Sequence, residues 1–128
     1  MGQPAARQGD SVVGVDIHIV MVPSPGGPVP TPLPHPFSGT LEQSLSTTVT
    51  IDGKPAATKD SVAINNPPHI PTPPGTSFQK PPDNKGPVIT GSATVTIGGK
   101  AAARLGDSVQ SCDGMSAIVS GSATVMIG

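Results

Sequence analysis

The sequence predicts an all-β fold: one pseudo-threefold, cone-shaped domain of short strands and hairpins spanning residues 1–128. Three observations predict it. One phrase occurs three times, as Gly2-Gln-Pro-Ala-Ala-Arg-Gln-Gly-Asp-Ser-Val12, Gly53-Lys-Pro-Ala-Ala-Thr-Lys-Asp-Ser-Val62 and Gly99-Lys-Ala-Ala-Ala-Arg-Leu-Gly-Asp-Ser-Val109. A second phrase alternates polar and β-branched residues, as Thr48-Val49-Thr50-Ile51, Thr94-Val95-Thr96-Ile97 and Thr124-Val125-Met126-Ile127, the period of a half-buried strand. The third observation is composition. With no Trp or Tyr and two Phe, a core must be assembled from Val, Ile, Ala and Thr, which suits strands.

The repeat phrases at 2–12, 53–62 and 99–109 follow strands expected near 47–51, 93–97 and 123–127, with Val49/Ile51, Val95/Ile97 and Val125/Ile127 facing inward. Asp52-Gly53 and Gly98-Gly99 join strand to phrase, the residue pairs that a tight hairpin turn with positive φ favours. The third strand meets Gly128 where a turn is due, and the phrase due next is the one at Gly2. The two ends of the sequence are therefore expected side by side, closing a ring of three units. The middle phrase departs from the others: Thr58 replaces Arg7 and Arg104, and one residue fewer precedes Asp60.

Glycine and proline, at 16 and 17 residues, approach the level at which disorder is the default. A charged fraction of 12% and the ordered alternation argue against disorder. Prolines concentrate in residues 23–36 and 67–87, which are expected to be stiff loops, since proline cannot serve a central strand. Phe37 and Phe78, within or beside them, form a candidate docking surface or pin the loops to the domain.

Formal net charge is −1 without a Lys/Arg cluster, which removes the electrostatic basis for binding nucleic acid or an anionic membrane. The N-terminal residues lack a basic stretch followed by an apolar run, so synthesis in the cytoplasm without a signal peptide is expected. No apolar run is long enough for a transmembrane segment.

Each of the three histidines and the one cysteine follows an Asp-Ser-Val phrase. His18 lies eight residues beyond Asp10, His69 nine beyond Asp60 and Cys112 five beyond Asp107, with His35 an extra from the first Pro-rich stretch. If the loops converge opposite the turns, three His and one Cys would fill a tetrahedral zinc shell and leave no open position for water, a structural arrangement. The spacing equally allows solvated histidines and a cysteine packed as a small hydrophobe. Asp10, Asp60 and Asp107 read as turn formers and Glu42 is the only glutamate, which argues against an enzyme such as a zinc hydrolase.

Pro4-Ala5-Ala6-Arg7, nearly repeated at Ala101-Ala102-Ala103-Arg104, resembles the PAAR-repeat family. So do Gly9-Asp10, Gly106-Asp107, the Ser-Ala-Thr-Val runs at 92–95 and 122–125 and the Ile-Gly-Gly-Lys turn at 97–100. The resemblance covers essentially the whole chain. It implies a tip, with one structural Zn2+ stapling the apex through His18, His35, His69 and Cys112, that caps and sharpens the trimeric VgrG-like spike of a type VI secretion system. One tip per trimer is implied, joined by strand addition, aiding envelope puncture and effector delivery. The tip would be loaded on the apparatus and delivered outside the cell or into a target cell. The alternative within the class is the tip of an extracellular contractile injection particle or phage-like tail. Family members often carry a fused toxin; repeats running from residue 2 to 128 leave no room for one, so effectors would bind noncovalently, through the Pro-rich loops.

Overall fold

The computed structural model describes residues 2–111 and 114–128, and the described residues are all-β. The strands are β1 (Gln3–Pro4), β2 (Ser11–Val22), β3 (Val29–Gln43), β4 (Thr50–Ile51), β5 (Lys54–Pro55), β6 (Val62–Asn65) and β7 (Ser77–Phe78). They continue as β8 (Lys85–Pro87), β9 (Thr96–Ile97), β10 (Lys100–Ala101), β11 (Ser108–Ser111), β12 (Gly114–Ile118) and β13 (Met126–Ile127).

The repeat phrase builds a threefold ring. The Ala6 N–H donates to Ala103 O, Ala103 N–H to Ala57 O and Ala57 N–H to Ala6 O, each at 3.0 Å. The closed triangle places three alanines on a pseudo-threefold axis, where only a methyl group fits; Ala6, Ala57 and Ala103 are all fully buried. A second layer repeats the rule with Val12, Ala63 and Val109, and a third with Leu41, Val88 and Ile118; Phe37 is the one aromatic among them. At one end of the axis sit three two-residue ladders, β4–β5, β9–β10 and β13–β1, the last pairing Gln3 with Ile127 and Pro4 with Met126. Ring closure between opposite ends of the sequence is thus present.

These ladders are shorter than the expected strands. Ser46, Ser92 and Ser122 each turn the chain by accepting, through Oγ, the N–H groups two and three residues on, including Val49, Val95 and Val125. Such local side-chain bonds compete with a ladder. Alternation is lost there: Ile51 and Ile127 are buried, but Val49 and Val125 are exposed, correcting their inward assignment. Val95 and Ile97 are half-buried against the lower core.

The middle repeat is aligned differently from its spelling. Arg7 N–H donates to Asp10 Oδ2 at 2.7 Å and Arg104 N–H to Asp107 Oδ2 at 2.7 Å, but Thr58 N–H donates to Ser61 Oγ at 2.9 Å. Ser61 is therefore the counterpart of Asp10. Asp60 occupies the slot of Gly9 and Gly106, sharing their positive φ (77° against 84° and 93°), a conformation Asp tolerates better than most residues. No residue is missing from the repeat.

Above the ring, β11–β12–β2–β3–β6–β8 form one antiparallel sheet, with β7 pairing β2 beyond β12. A bridge between Val88 and Val109 brings its two ends together into a nearly closed barrel. The largest departure from expectation is here: residues 29–36 are strand, not loop. They pair with β2 in unbroken register from Val22↔Val29 to Val15↔Pro36 and beyond. Pro30, Pro32, Pro34 and Pro36 alternate, so all four missing N–H groups fall on the edge away from β2, where β6 joins only from Gly39 onward. Proline is tolerated on such an edge, and the edge loses the donors another strand would need. The 67–87 stretch is mostly irregular, with β7 and β8 as its short ladders.

Candidate metal centre

Asp16 and His18 are two apart on β2, so the pleat points both to one face. That face is the inner one: both are buried, while Val15, Ile17 and Ile19 point outward. His35 stands opposite Asp16 in the β2–β3 register. His69 arrives from the irregular segment after β6, its N–H held by Asn84 Oδ1 at 2.7 Å. Thus two of the three histidines come from strands expected to be loops.

The three imidazoles form a triangle, with ring centroids 5.3 Å apart for His18–His35, 5.0 Å for His18–His69 and 5.7 Å for His35–His69. With Ser61 as the reference, His69 lies eight residues on, just as His18 lies eight beyond Asp10. The fourth expected ligand, Cys112, lies outside the described residues; Ser111 and Gly114 on either side of it are at the cluster, Ser111 bonded to Asp16 and Gly114 paired with it.

Asp16 was missed by reading the sequence. Its Oδ2 is 2.9 Å from His69 Nε2 and 3.9 Å from His18 Nε2, and its Oδ1 accepts the Ser111 hydroxyl, which in turn accepts from Ser116 Oγ at 2.9 Å. A buried carboxylate is tolerable only with such partners. Ligand atoms of Asp16, His18 and His69 all lie within 4.8 Å of one another. The signal available in the sequence was Asp-Ile-His at 16–18, two polar residues on one face of an otherwise β-branched strand.

His35 Nδ1–H donates to the Leu33 carbonyl at 2.8 Å, leaving a lone pair on Nε2 that accepts the Thr72 N–H at 3.1 Å. Burial pushes its pKa below the ordinary value, opposed by the Leu33 bond and reinforced by the two other imidazoles. Ligation through Nε2 would displace the Thr72 amide. The donor set fits a small divalent cation preferring imidazole nitrogen: His18 and His69 stand within reach of each other and of the Asp16 carboxylate, while His35 lies outside that close group, its ring oriented by a carbonyl.

Phe78 packs its ring 5.7 Å from His18 and 5.3 Å from His35, and Phe37 lies 6.3 Å from His69. Phe37 is 1% exposed, so the expectation that it offers a docking surface is overturned: the pleat of β3 turns residue 37 to the same inner face as His35. Asp10 and Asp107 are structural, each accepting from the backbone N–H, Nε and Nη of its own arginine.

The PAAR motif family model matches residues 79–128, consistent with a PAAR-repeat protein. Proteins with this motif are generally spike tips of contractile injection systems, structural and not enzymatic. No curated protein matches the chain. Among the described residues no helix is long and apolar enough to cross a membrane.

Proposed function

We propose that the chain caps the trimeric VgrG-like spike of a type VI secretion system, one tip per trimer. The supporting observation is the closed Ala6–Ala103–Ala57 hydrogen-bond ring: it sets three two-residue ladders about one axis, two closed by hairpin turns and one where the two ends of the sequence meet, the symmetry needed to meet three identical subunits. Exposed backbone at those turns would join the spike by strand addition. The tip is made in the cytoplasm, loaded on the apparatus and delivered beyond the cell, and effectors dock noncovalently along the Pro-rich stretch of residues 67–87. Co-purification with the spike at one chain per three tests the capping, and any other ratio refutes the symmetry argument. Spike genes lying without a membrane-complex neighbour would favour the extracellular particle.

The histidine cluster is read as a structural zinc site held by His18, His35, His69 and Cys112, with Asp16 orienting His69. A closed shell of this kind supplies cross-linking, tying β2, β3 and the 66–72 segment together where few apolar residues can. Metal analysis of purified wild type against Cys112→Ser should show near-stoichiometric zinc lost in the variant; a wild type without zinc overturns the assignment.

A further inference from the structure

The three basal ladders are equivalent in register, but their turn positions, two hairpin turns and one meeting of the two ends of the sequence, differ in chemistry. At the first, the Asp52 carboxylate accepts from Arg7 Nη1 at 2.9 Å and Thr124 Oγ1 at 2.7 Å, and from Ser122 Oγ at 2.5 Å. At the second, the Gly128 carbonyl oxygen takes the same place: it accepts from Arg104 Nη1 at 3.2 Å and from the Ser92 hydroxyl, and Thr94 Oγ1 lies 3.4 Å from where a Cβ on Gly128 would stand. The order is cyclic, each serine–threonine pair and each residue at the arginine position reaching the turn of the next unit.

At the third position the donors are present and the acceptor is missing. Ser46 and Thr48 correspond to Ser122 and Thr124, Thr58 to Arg7, and Gly98 to Asp52. Gly98 brings no oxygen to them, and among the described residues neither the Ser46 nor the Thr48 hydroxyl donates to a carboxylate. A cavity of about 190 Å3 lies there, lined by Ser46, Thr48, Thr58, Gly98 and Lys100 among others. Ser92 and Ser122 are buried beneath their acceptors, whereas Ser46 is only half-buried. Lys100, which pairs loosely with Asp60 Oδ2 at 3.7 Å, supplies the cation that the arginine position lacks.

We propose that the Ser46–Thr48–Gly98–Lys100 cavity binds a carboxylate supplied from outside the chain, seated as the Asp52 carboxylate is at the equivalent turn. The ligand is either the side chain of an aspartate or glutamate on a partner polypeptide or a small free carboxylate; two hydroxyl donors and one ammonium match its two oxygens.

Gly98 offers a direct test. Its φ of 59° is close to the 53° of Asp52, and a Cβ added there meets nothing within 4 Å. Gly98→Asp should therefore supply the absent group from within the chain. In two-dimensional amide NMR, sodium acetate titrated at constant ionic strength against sodium chloride should shift the Thr48, Val49 and Gly98 amides saturably. Gly98→Asp should raise Tm and abolish that saturable shift. Thr48→Val, which keeps the serine-capped turn, should weaken acetate at least fivefold and stands as the second variant should Gly98→Asp not fold. A blocked Gly-Asp-Gly peptide binding at least tenfold tighter than acetate assigns a polypeptide partner, and equal affinity assigns a free carboxylate. Shifts no different from chloride, or undiminished acetate binding in either variant, overturn the proposal.

Discussion

Phe37→Ala should be the most destabilising single truncation in this chain, because the ring stands where no other large side chain can replace it. Phe37 is 1% exposed, at the junction of the alanine–valine layers and the histidine cluster. Removing about 100 Å2 of buried apolar surface costs about 2–3 kcal/mol at roughly 25 cal/mol per Å2. A residual cavity of about 50–80 Å3 adds about 1–2 kcal/mol at roughly 24 cal/mol per Å3. The sum, about 3–5 kcal/mol, is a large share of the ~5–15 kcal/mol that holds a domain folded. At this size it corresponds to a fall in Tm of roughly 10–20 °C. The assay is urea unfolding followed by amide circular dichroism, with excess chelator present so that metal affinity does not mask the change. Phe37→Leu, which retains most of the volume, should cost less than half as much. A loss below about 1 kcal/mol for Phe37→Ala would refute the assignment of Phe37 to a tightly packed core.

Three further outcomes are expected. Gly86→Ala should cost about 2–3 kcal/mol in urea unfolding, because its methyl group would run into the Gln110 carbonyl where the two ends of the sheet meet; a neutral result would mean that this junction is loose. Asp16→Ala should destabilise the chelator-treated protein by about 1–3 kcal/mol, since it leaves the Ser111 hydroxyl and His69 without their buried partner; an effect seen only with metal present would assign Asp16 solely to the metal. Hydrogen bonds from Ser122, then Thr124 and Arg7, hold the Asp52 carboxyl below its ordinary value. Its stabilisation is thus present above the ordinary carboxylate range and lost as pH falls through the depressed value. The Tm advantage of wild type over Asp52→Asn should accordingly be full at neutral pH and vanish in acid; an advantage unchanged at low pH would rule out the charge as its source.

Much of the threefold plan was legible because backbone chemistry is local: Asp52-Gly53 and Gly98-Gly99 specify tight turns wherever they sit, and three Ala-Ala pairs mark one crowded axis. The middle repeat misled because Asp60 and Ser61 spell the same letters as Asp10 and Ser11 one slot out of step. Only the bonds from Thr58 N–H and the positive φ of Asp60 distinguish the two alignments. Asp16 escaped notice because a carboxylate's value depends on what surrounds it, and its partners His69 and Ser111 stand 53 and 95 residues away in sequence.

By itself, then, the sequence determined the all-β class, the three units, their turns and the histidines worth watching, since each follows from residue-level conformational and coordination preferences. Tertiary structure decided the rest. It made the proline comb of β3 an edge strand, because the four absent N–H groups all fall on one side of a register that β2 dictates. It also buried Phe37 and gathered His18, His35 and His69 around Asp16, because the pleats of two long strands aim those side chains at a common interior. That geometry depends on pairing between distant segments, which no local preference encodes.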